Sequence, residues 1–228
     1  MAVPIVIAAI AKLSEKTEKS DNSESKSSNI PEKIGSEADL SKAIPDKLDM
    51  SLENNTAELS SSIPDKLDTQ SYYDDKGNLY RVGNELLPNN EYEINGYKYT
   101  TDDRGRIIKA EGKLHLKNHD GKLPIKDSIE DISKGDHKST DDRGHIIADQ
   151  FGGSNGLENM IPQDASINRG AYKTFEQELA KEVKSGKNVS VNIEPVYDGD
   201  SHRPSALAVT YGVDGKESVR IFPNEKEG

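Results

Sequence analysis

The chain has 228 residues, with 30 Lys and Arg against 41 Asp and Glu, for a net charge of −11. It has no cysteine, which excludes disulfides and thiolate metal sites. The acidity counts against a protein that grips nucleic acid over a broad basic face. An apolar fraction of 32% beside a charged fraction of 31% predicts that part of the chain stays outside any packed core.

Met1 to Leu13 is apolar but well short of the ~20 residues of a spanning helix. No basic residue precedes it, so it is a poor secretory signal. It reads as a chain start cut from something longer, or else as a membrane-active or interface segment. From Ser14 to about Gln70 the residues are Ser, Glu, Lys, Asp and Asn with scattered Pro. Ser20 to Asn29 contains no apolar side chain, so burial cannot offset its ordering entropy. A sparse repeat runs through the region at Ile30-Pro31-Glu32-Lys33-Ile34, Ile44-Pro45-Asp46-Lys47-Leu48 and Ile63-Pro64-Asp65-Lys66-Leu67. Residues 1–70 are expected to be a largely disordered, flexible acidic linker, with a docking sequence as the alternative.

Residues 71–228 are expected to be the folded domain. Glu91 to Ile94 and Tyr97 to Thr100 flank Asn95-Gly96, which predicts a tight hairpin. Asp103-Arg104-Gly105 predicts a second turn leading into Arg106 to Lys109, so 71–117 reads as antiparallel β structure. Residues 118–139 read as a polar loop, and His119 and His137 as exposed loop histidines. Ile146-Ile147-Ala148 reads as a short buried strand, followed by a Gly-rich loop, Gln150 to Gly156. That loop lacks the Gly-Lys-Ser/Thr of a phosphate cradle. A helix is predicted from about Arg169 to Lys184, with Tyr172, Phe175, Leu179 and Val183 on one face and Gly186 as its stop. Strands at 189–197, 206–211 and 218–222 complete an α+β chain with an antiparallel sheet and few helices.

The chemistry concentrates in Asp142-Arg143-Gly144-His145, Asn159-Met160-Ile161-Pro162-Gln163 and Asn168-Arg169-Gly170-Ala171-Tyr172. Thr101 to Ile108 copies Thr140 to Ile147 closely but has Arg106 where the second copy has His145. Arginine has no accessible neutral form and cannot act as a base. The second copy alone therefore carries a base that titrates near neutrality. An amide ligand with water and phosphate in the other positions suits a hard cation such as Mg²⁺. A His base, an Asn ligand and an Arg facing the phosphate together suit phosphodiester hydrolysis. Taken singly, Asn168 reads as a helix N-cap, Glu176 as a solvated helix position, and Arg143 as a partner of Asp141 or Asp142.

Together these motifs, with Glu176 and the tail from Ile193-Glu194-Pro195-Val196-Tyr197 to Arg203-Pro204-Ser205, resemble the DNA/RNA non-specific endonuclease family. That family has a ββα-metal (His-Me finger) core. The resemblance runs from about Tyr97 to Phe222 and is strongest to the branch found as C-terminal domains of bacterial polymorphic toxins. It implies His145 as general base, Asn168 as protein ligand of Mg²⁺ (Mn²⁺ or another divalent ion being the alternative), and Arg143 beside the phosphate. It implies Glu176 behind the metal's waters and Asn159 positioning the loop that bears His145. Tyr172 stands where the family often has Trp. Ala180 stands where some relatives have a second arginine, leaving Lys173, Lys181 and Arg203 as candidates for that charge.

The expected function is a Mg²⁺-dependent endonuclease that cleaves DNA without strong sequence preference, with RNA as a further candidate substrate, acting as an antibacterial toxin. The resemblance implies export from the producing cell as part of a larger protein, with residues 1–70 as linker or delivery sequence. It implies action in the target-cell cytoplasm, a cognate immunity protein and no stable membrane insertion. The rival expectations are a non-catalytic binding module on a nuclease-like scaffold and a secreted nutritional nuclease.

Overall fold

The computed structural model describes residues 70–118, 120–121 and 124–225. The readings of residues 1–69 and of His119 lie outside the described residues. Among the described residues no helix is long and apolar enough to cross a membrane.

β1 (Ser71–Tyr73), β2 (Leu79–Val82) and β3 (Glu85–Leu86) form an antiparallel three-stranded meander. β4 (Glu91–Ile94) and β5 (Tyr97–Thr101) form the predicted hairpin, with Ile94 opposite Tyr97. Asn95 and Gly96 take the positive φ angles, 55° and 78°, that a two-residue hairpin turn requires. β6 (Ile107–Lys113) pairs with β5. Residues 118–139, read as a loop, contain a short helix, α1 (Ile129–Ser133). Ser128 and Asp131 cap it reciprocally, a capping box that the run Ser128-Ile129-Glu130-Asp131 carries with Asp in place of the usual Glu.

β7 (Asp141–His145) and β8 (Met160–Asp164) pair antiparallel, His145 opposite Met160 and Asp142 opposite Gln163. The Asp-Arg-Gly-His motif is thus itself a strand. Its partner is the Met-Ile-Pro-Gln motif. Ile146–Ala148, expected as the strand, are buried but follow its end. α2 (Ala165–Arg169) and α3 (Ala171–Lys184) replace the single predicted helix. Gly170, at φ −108° and ψ −107°, breaks it, and a Cβ there would lie 2.3 Å from Ser166 O. β9 (Val189–Tyr197), β10 (Pro204–Val213) and β11 (Lys216–Pro223) join β6 to complete a six-stranded sheet, ordered β11-β10-β9-β6-β5-β4.

α3 buries Tyr172, Phe175 and Leu179, with Val183 partly buried, which is the predicted face. These side chains share the core with Val191 and Ile193 of β9 and with Ile146 and Ile147 beyond β7. A second part of the core is a stack of tyrosines, Tyr80 on Tyr92 and Tyr92 on Tyr99, with ring centroids 4.9 and 5.2 Å apart. Burying each such ring contributes about 1.5–3 kcal/mol.

The two copies of Thr-Asp-Asp-Arg-Gly fold differently, and the cause is what binds the first aspartate. Asp102 accepts the backbone N–H groups of Arg104 and Arg106 at 3.0 and 2.9 Å, and the Arg106 side chain at 2.7 Å. That closes a turn with Gly105 at φ 74°. The equivalent Asp141 is held by Arg203 Nε and Nη2 at 2.7 and 2.8 Å, and its segment stays extended. Gly144 is needed for contact rather than for a turn: a Cβ there would meet Gln163 Oε1 at 2.3 Å.

One buried ion pair ties the meander to the rest of the domain. Arg81 donates to both Asp127 oxygens, at 3.0 and 2.6 Å, and the two side chains are 5% and 7% exposed. Asp127 also accepts Leu157 N at 2.6 Å. Removing one member of such a pair strands a buried charge. Arg81→Met is therefore expected to lower unfolding free energy by about 3–5 kcal/mol, read as a lower urea midpoint with unchanged slope.

Candidate active site

A cleft of about 530 Å³ opens between β7, the 148–155 loop, α2 and α3. It is lined by Arg143, His145, Asn168 and Glu176 among others. Each element delivers its residue for a local reason. Arg143 and His145 are two apart on β7 and so share a face. Asn168 lies in the last turn of α2, whose N-cap is Asp164. Glu176 lies two helical turns beyond Gly170, on α3.

The single-residue readings of Asn168 and Arg143 do not hold. Asn168 caps neither helix; its amide nitrogen donates to Asp142 Oδ2 at 2.9 Å. That leaves Oδ1 as the amide atom available to a cation. Asp142 itself is fixed by Arg169, whose Nε lies 2.8 Å and Nη2 2.5 Å from its oxygens. Asp141 belongs to Arg203, so neither aspartate takes Arg143. The Arg143 guanidinium instead donates to the backbone oxygen of Asp127 at 3.0 Å and is otherwise exposed at the cleft.

Asn159 does not line the cleft. It is fully buried behind it. Its oxygen accepts Ile147 N at 2.9 Å and the Tyr99 hydroxyl at 3.1 Å; its nitrogen donates to Ile147 O at 2.8 Å and Ser154 O at 2.9 Å. It therefore clamps the chain on the far side of His145 and cannot touch a substrate. Gly153 completes this clamp, since a Cβ there would lie 1.8 Å from Ile147 O.

Asn155 is a cleft residue that the sequence reading passed over. Its Oδ1 lies 2.8 Å from His145 Nε2. A Gly-rich loop read only against a phosphate-cradle pattern gives no reason to single out its one asparagine. Of the three candidates for the additional positive charge, Lys173 lines the cleft. Arg203 is buried in its pair with Asp141, and Lys181 is not among the lining residues. Ala180 is buried, so its position has no room for a solvated guanidinium. His137, read as an exposed loop histidine, is instead partly buried against Ser133 Oγ and near Glu130, and it does not line the cleft.

Charge in the cleft runs against that of the chain. Arg143, Arg169 and Lys173 face Asp149 and Glu176 there. Asp149 is paired with Lys117 at 2.6 Å. Among the described residues no three His, Asp or Glu side chains gather as a metal cage.

The chain belongs to the DNA/RNA non-specific endonuclease family, whose model matches residues 88–215. It is similar to the type VII secretion system protein EssD of Staphylococcus aureus (strain USA300), at 33% identity over 149 residues. That match covers 62% of this chain and 24% of EssD. It is also similar to the probable deoxyribonuclease RhsA of Dickeya dadantii (strain 3937), at 32% identity over 126 residues, 53% of this chain and 8% of RhsA. The chain thus spans about a quarter of the first relative's length and under a tenth of the second's. Among solved structures it is similar to that of Sda1 nuclease with bound zinc ion, at 29% identity over 37% of this chain and 39% of that one, with a TM-score of 0.34.

The Asp142–Arg169 pair makes the site acid-sensitive. The Arg169 guanidinium, with help from Asn168, holds the Asp142 carboxyl below its usual range, against a smaller opposing effect of burial. A folded-state pKa below the unfolded value of about 3.9 stabilises the protein above that pH and ceases to as pH falls through the folded value. Arg169 is 72% exposed, so screening keeps the contribution to about 1 kcal/mol or less. Asp142→Asn is expected to lower the melting temperature slightly at neutral pH and by progressively less as the pH falls through the carboxyl's folded-state value, checked by melts across the acid range.

Proposed function

We propose that this chain is an endonuclease that hydrolyses phosphodiester bonds in DNA, and in RNA, with His145 as general base and a divalent cation held by Asn168. The observation that carries the reading is the single cleft lined by Arg143, His145, Asn168 and Glu176. The donor set fits such a cation. One amide oxygen, fixed in orientation by Asp142, and one nearby carboxylate suit an ion that keeps most of its water, as Mg²⁺ does; Mn²⁺ is the alternative. When bound, the cation supplies positive charge that polarises the phosphate and stabilises the departing oxygen.

The protein's own part is positioning and proton transfer. His145 takes a proton from water as the new oxygen–phosphorus bond forms and the bond to the 3′ oxygen breaks, giving a 5′-phosphate product. Arg143 and Lys173 hold the phosphate and offset the charge that builds on it. Glu176 orients water around the cation. Asn159 acts one layer back, holding the chain that follows His145.

We infer further that the domain is the toxin module of a longer exported protein, with residues 1–70 as linker or delivery segment, acting in the cytoplasm of a target cell. The similarity to a secretion-system protein and to a probable deoxyribonuclease supports this, as does the small share of each relative that the chain covers. A producing cell then needs a cognate immunity protein.

Digestion of plasmid DNA and total RNA by the full chain is expected with Mg²⁺ and not with EDTA. His145→Ala is expected to lower the rate by about 10²–10⁴-fold, the range of a lost general base, and Asn168→Ala to abolish the dependence on added Mg²⁺ together with most of the activity. Folded protein that leaves both substrates intact with Mg²⁺ sinks the nuclease reading in favour of a non-catalytic binding module. Cells making the active chain are expected to lose viability and cells making His145→Ala to survive, as scored by plating after induction.

A further inference from the structure

The solvent side of α3 carries Lys173, Gln177, Lys181 and Lys184, all of them exposed. At about 3.6 residues per turn, steps of four, four and three keep them within ~80° of one another round the axis. Lys173 and Gln177 line the cleft. Lys181 and Lys184 continue the same face beyond it, about 12 and 17 Å further along the axis than Lys173. The row therefore starts in the cleft and leads away from it.

Its charges are left unneutralised although the chain as a whole is acidic. A glutamate four residues from a lysine on a helix would pair with it. Gln177 stands four after Lys173 and four before Lys181, and Ala180 stands four before Lys184. An amide and a methyl thus occupy the positions from which a carboxylate would reach these three ammonium groups. The helix does carry Glu178 and Glu182, but outside that sector, and each faces another cation: Arg220 at 2.8 Å and Lys187 at 2.5 Å. None of Lys173, Lys181 and Lys184 enters an ion pair among the described residues. Acids and lysines of one helix are thus sorted onto two sides, with only the acids paired.

We propose that this side of α3 is a backbone-binding track for duplex DNA, on which Lys181 and Lys184 hold phosphates beyond the one in the cleft. The proposal rests on the reading of the cleft as the site of phosphodiester cleavage. Along a duplex each strand has a phosphate every ~3.4 Å of axis, so a strand laid along the row meets Lys181 and Lys184 about four and five phosphates from the cleft. Lysine is a compact point charge with three donors, and it grips phosphate without reading a base. Gln177, between the lysines, adds a neutral donor to the same backbone. A track of this kind holds substrate independently of its sequence.

The test measures binding apart from cleavage. The full chain carrying His145→Ala is titrated in EDTA against a fluorescently labelled duplex of about 20 base pairs, at salt from about 50 to 200 mM, the range over which phosphate contacts are lost. Adding Lys181→Gln and Lys184→Gln is expected to weaken binding at low salt. It is also expected to reduce the slope of log affinity against log salt by about two, since each phosphate neutralised contributes about 0.9. Lys181→Arg with Lys184→Arg is expected to keep the slope. Lys76→Gln with Lys98→Gln changes the net charge equally, at lysines already paired with Glu93 and Glu91, and is expected to leave the slope unchanged. In the chain with His145 intact, Lys181→Gln with Lys184→Gln is expected to raise KM for long duplex DNA and leave kcat unchanged.

An unaltered slope in the folded Lys181→Gln, Lys184→Gln protein overturns the proposal, as does an equal loss in the Lys76→Gln, Lys98→Gln protein, which would make net charge the cause. Absence of any duplex binding at the lowest salt overturns it too. A slope that falls by about two in a protein whose His145 form digests neither DNA nor RNA supports the track and overturns the nuclease reading instead. Digestion with a slope indifferent to Lys181 and Lys184 overturns the track alone.

Discussion

An amide side chain has one end that donates and one that accepts, and nothing in the residue itself decides which end faces a cleft. In this domain a carboxylate decides it, and a cation pins the carboxylate. Asp142, held by Arg169, takes the nitrogen of Asn168. Asn155 in turn lies with its Oδ1 2.8 Å from His145 Nε2. In both cases the oxygen is left to the cleft side. The buried Asn159 has the opposite arrangement, with both ends committed to the protein through four hydrogen bonds, which suits a clamp. Three asparagines near one histidine thus have three different tasks, set by their partners and not by their chemistry.

The frame that carries these pairs is larger than the family match. Residues 88–215 leave out β1–β3 at one end and all of β11 at the other. Both are nevertheless built into the site's support. Arg81 on β2 binds the Asp127 carboxylate, while the Asp127 backbone oxygen holds Arg143. Just past β11, the buried Asn224 accepts from Asp164 N and donates to Pro162 O on β8. Elements outside the matched segment therefore brace the two strands that carry the motif.

What the sequence made legible was local. Asn95-Gly96 announced a hairpin because only a short list of residues tolerates positive φ at both positions. The face of α3 was legible because helical spacing survives in the pattern of Tyr172, Phe175, Leu179 and Val183. The family resemblance gathered Arg143, His145, Asn168 and Glu176, and these four do line one cleft. What was not legible depended on distant partners. The two copies of Thr-Asp-Asp-Arg-Gly are identical in sequence, yet one is a turn and one a strand. The choice is made by Arg203, 62 residues along the chain from Asp141. The pairing of β7 with β8 was missed because Pro162 is a poor strand residue with no N–H to give. It is tolerated here in a two-stranded pair opposite Arg143. Asn155 was missed because its contact with His145 exists only once the chain is folded.

The acidity of the chain, which weighed against a nucleic-acid enzyme at the outset, has a different meaning once the pairs are assigned. Among the aspartates of the site, Asp141, Asp142 and Asp149 each face an arginine or lysine that is thereby taken out of the electrostatic field. Arg143 and Lys173 have no such partner among the described ion pairs, and both line the cleft. A phosphate approaching the cleft meets those two at short range, while the negative surface beyond it is screened over roughly 10 Å at physiological salt. Net charge therefore bears on how often a polyanion reaches the cleft. It does not bear on whether the cleft can hold one. A cleft on so acidic a chain gains little from long-range steering and depends on the short-range geometry of β7 and α3.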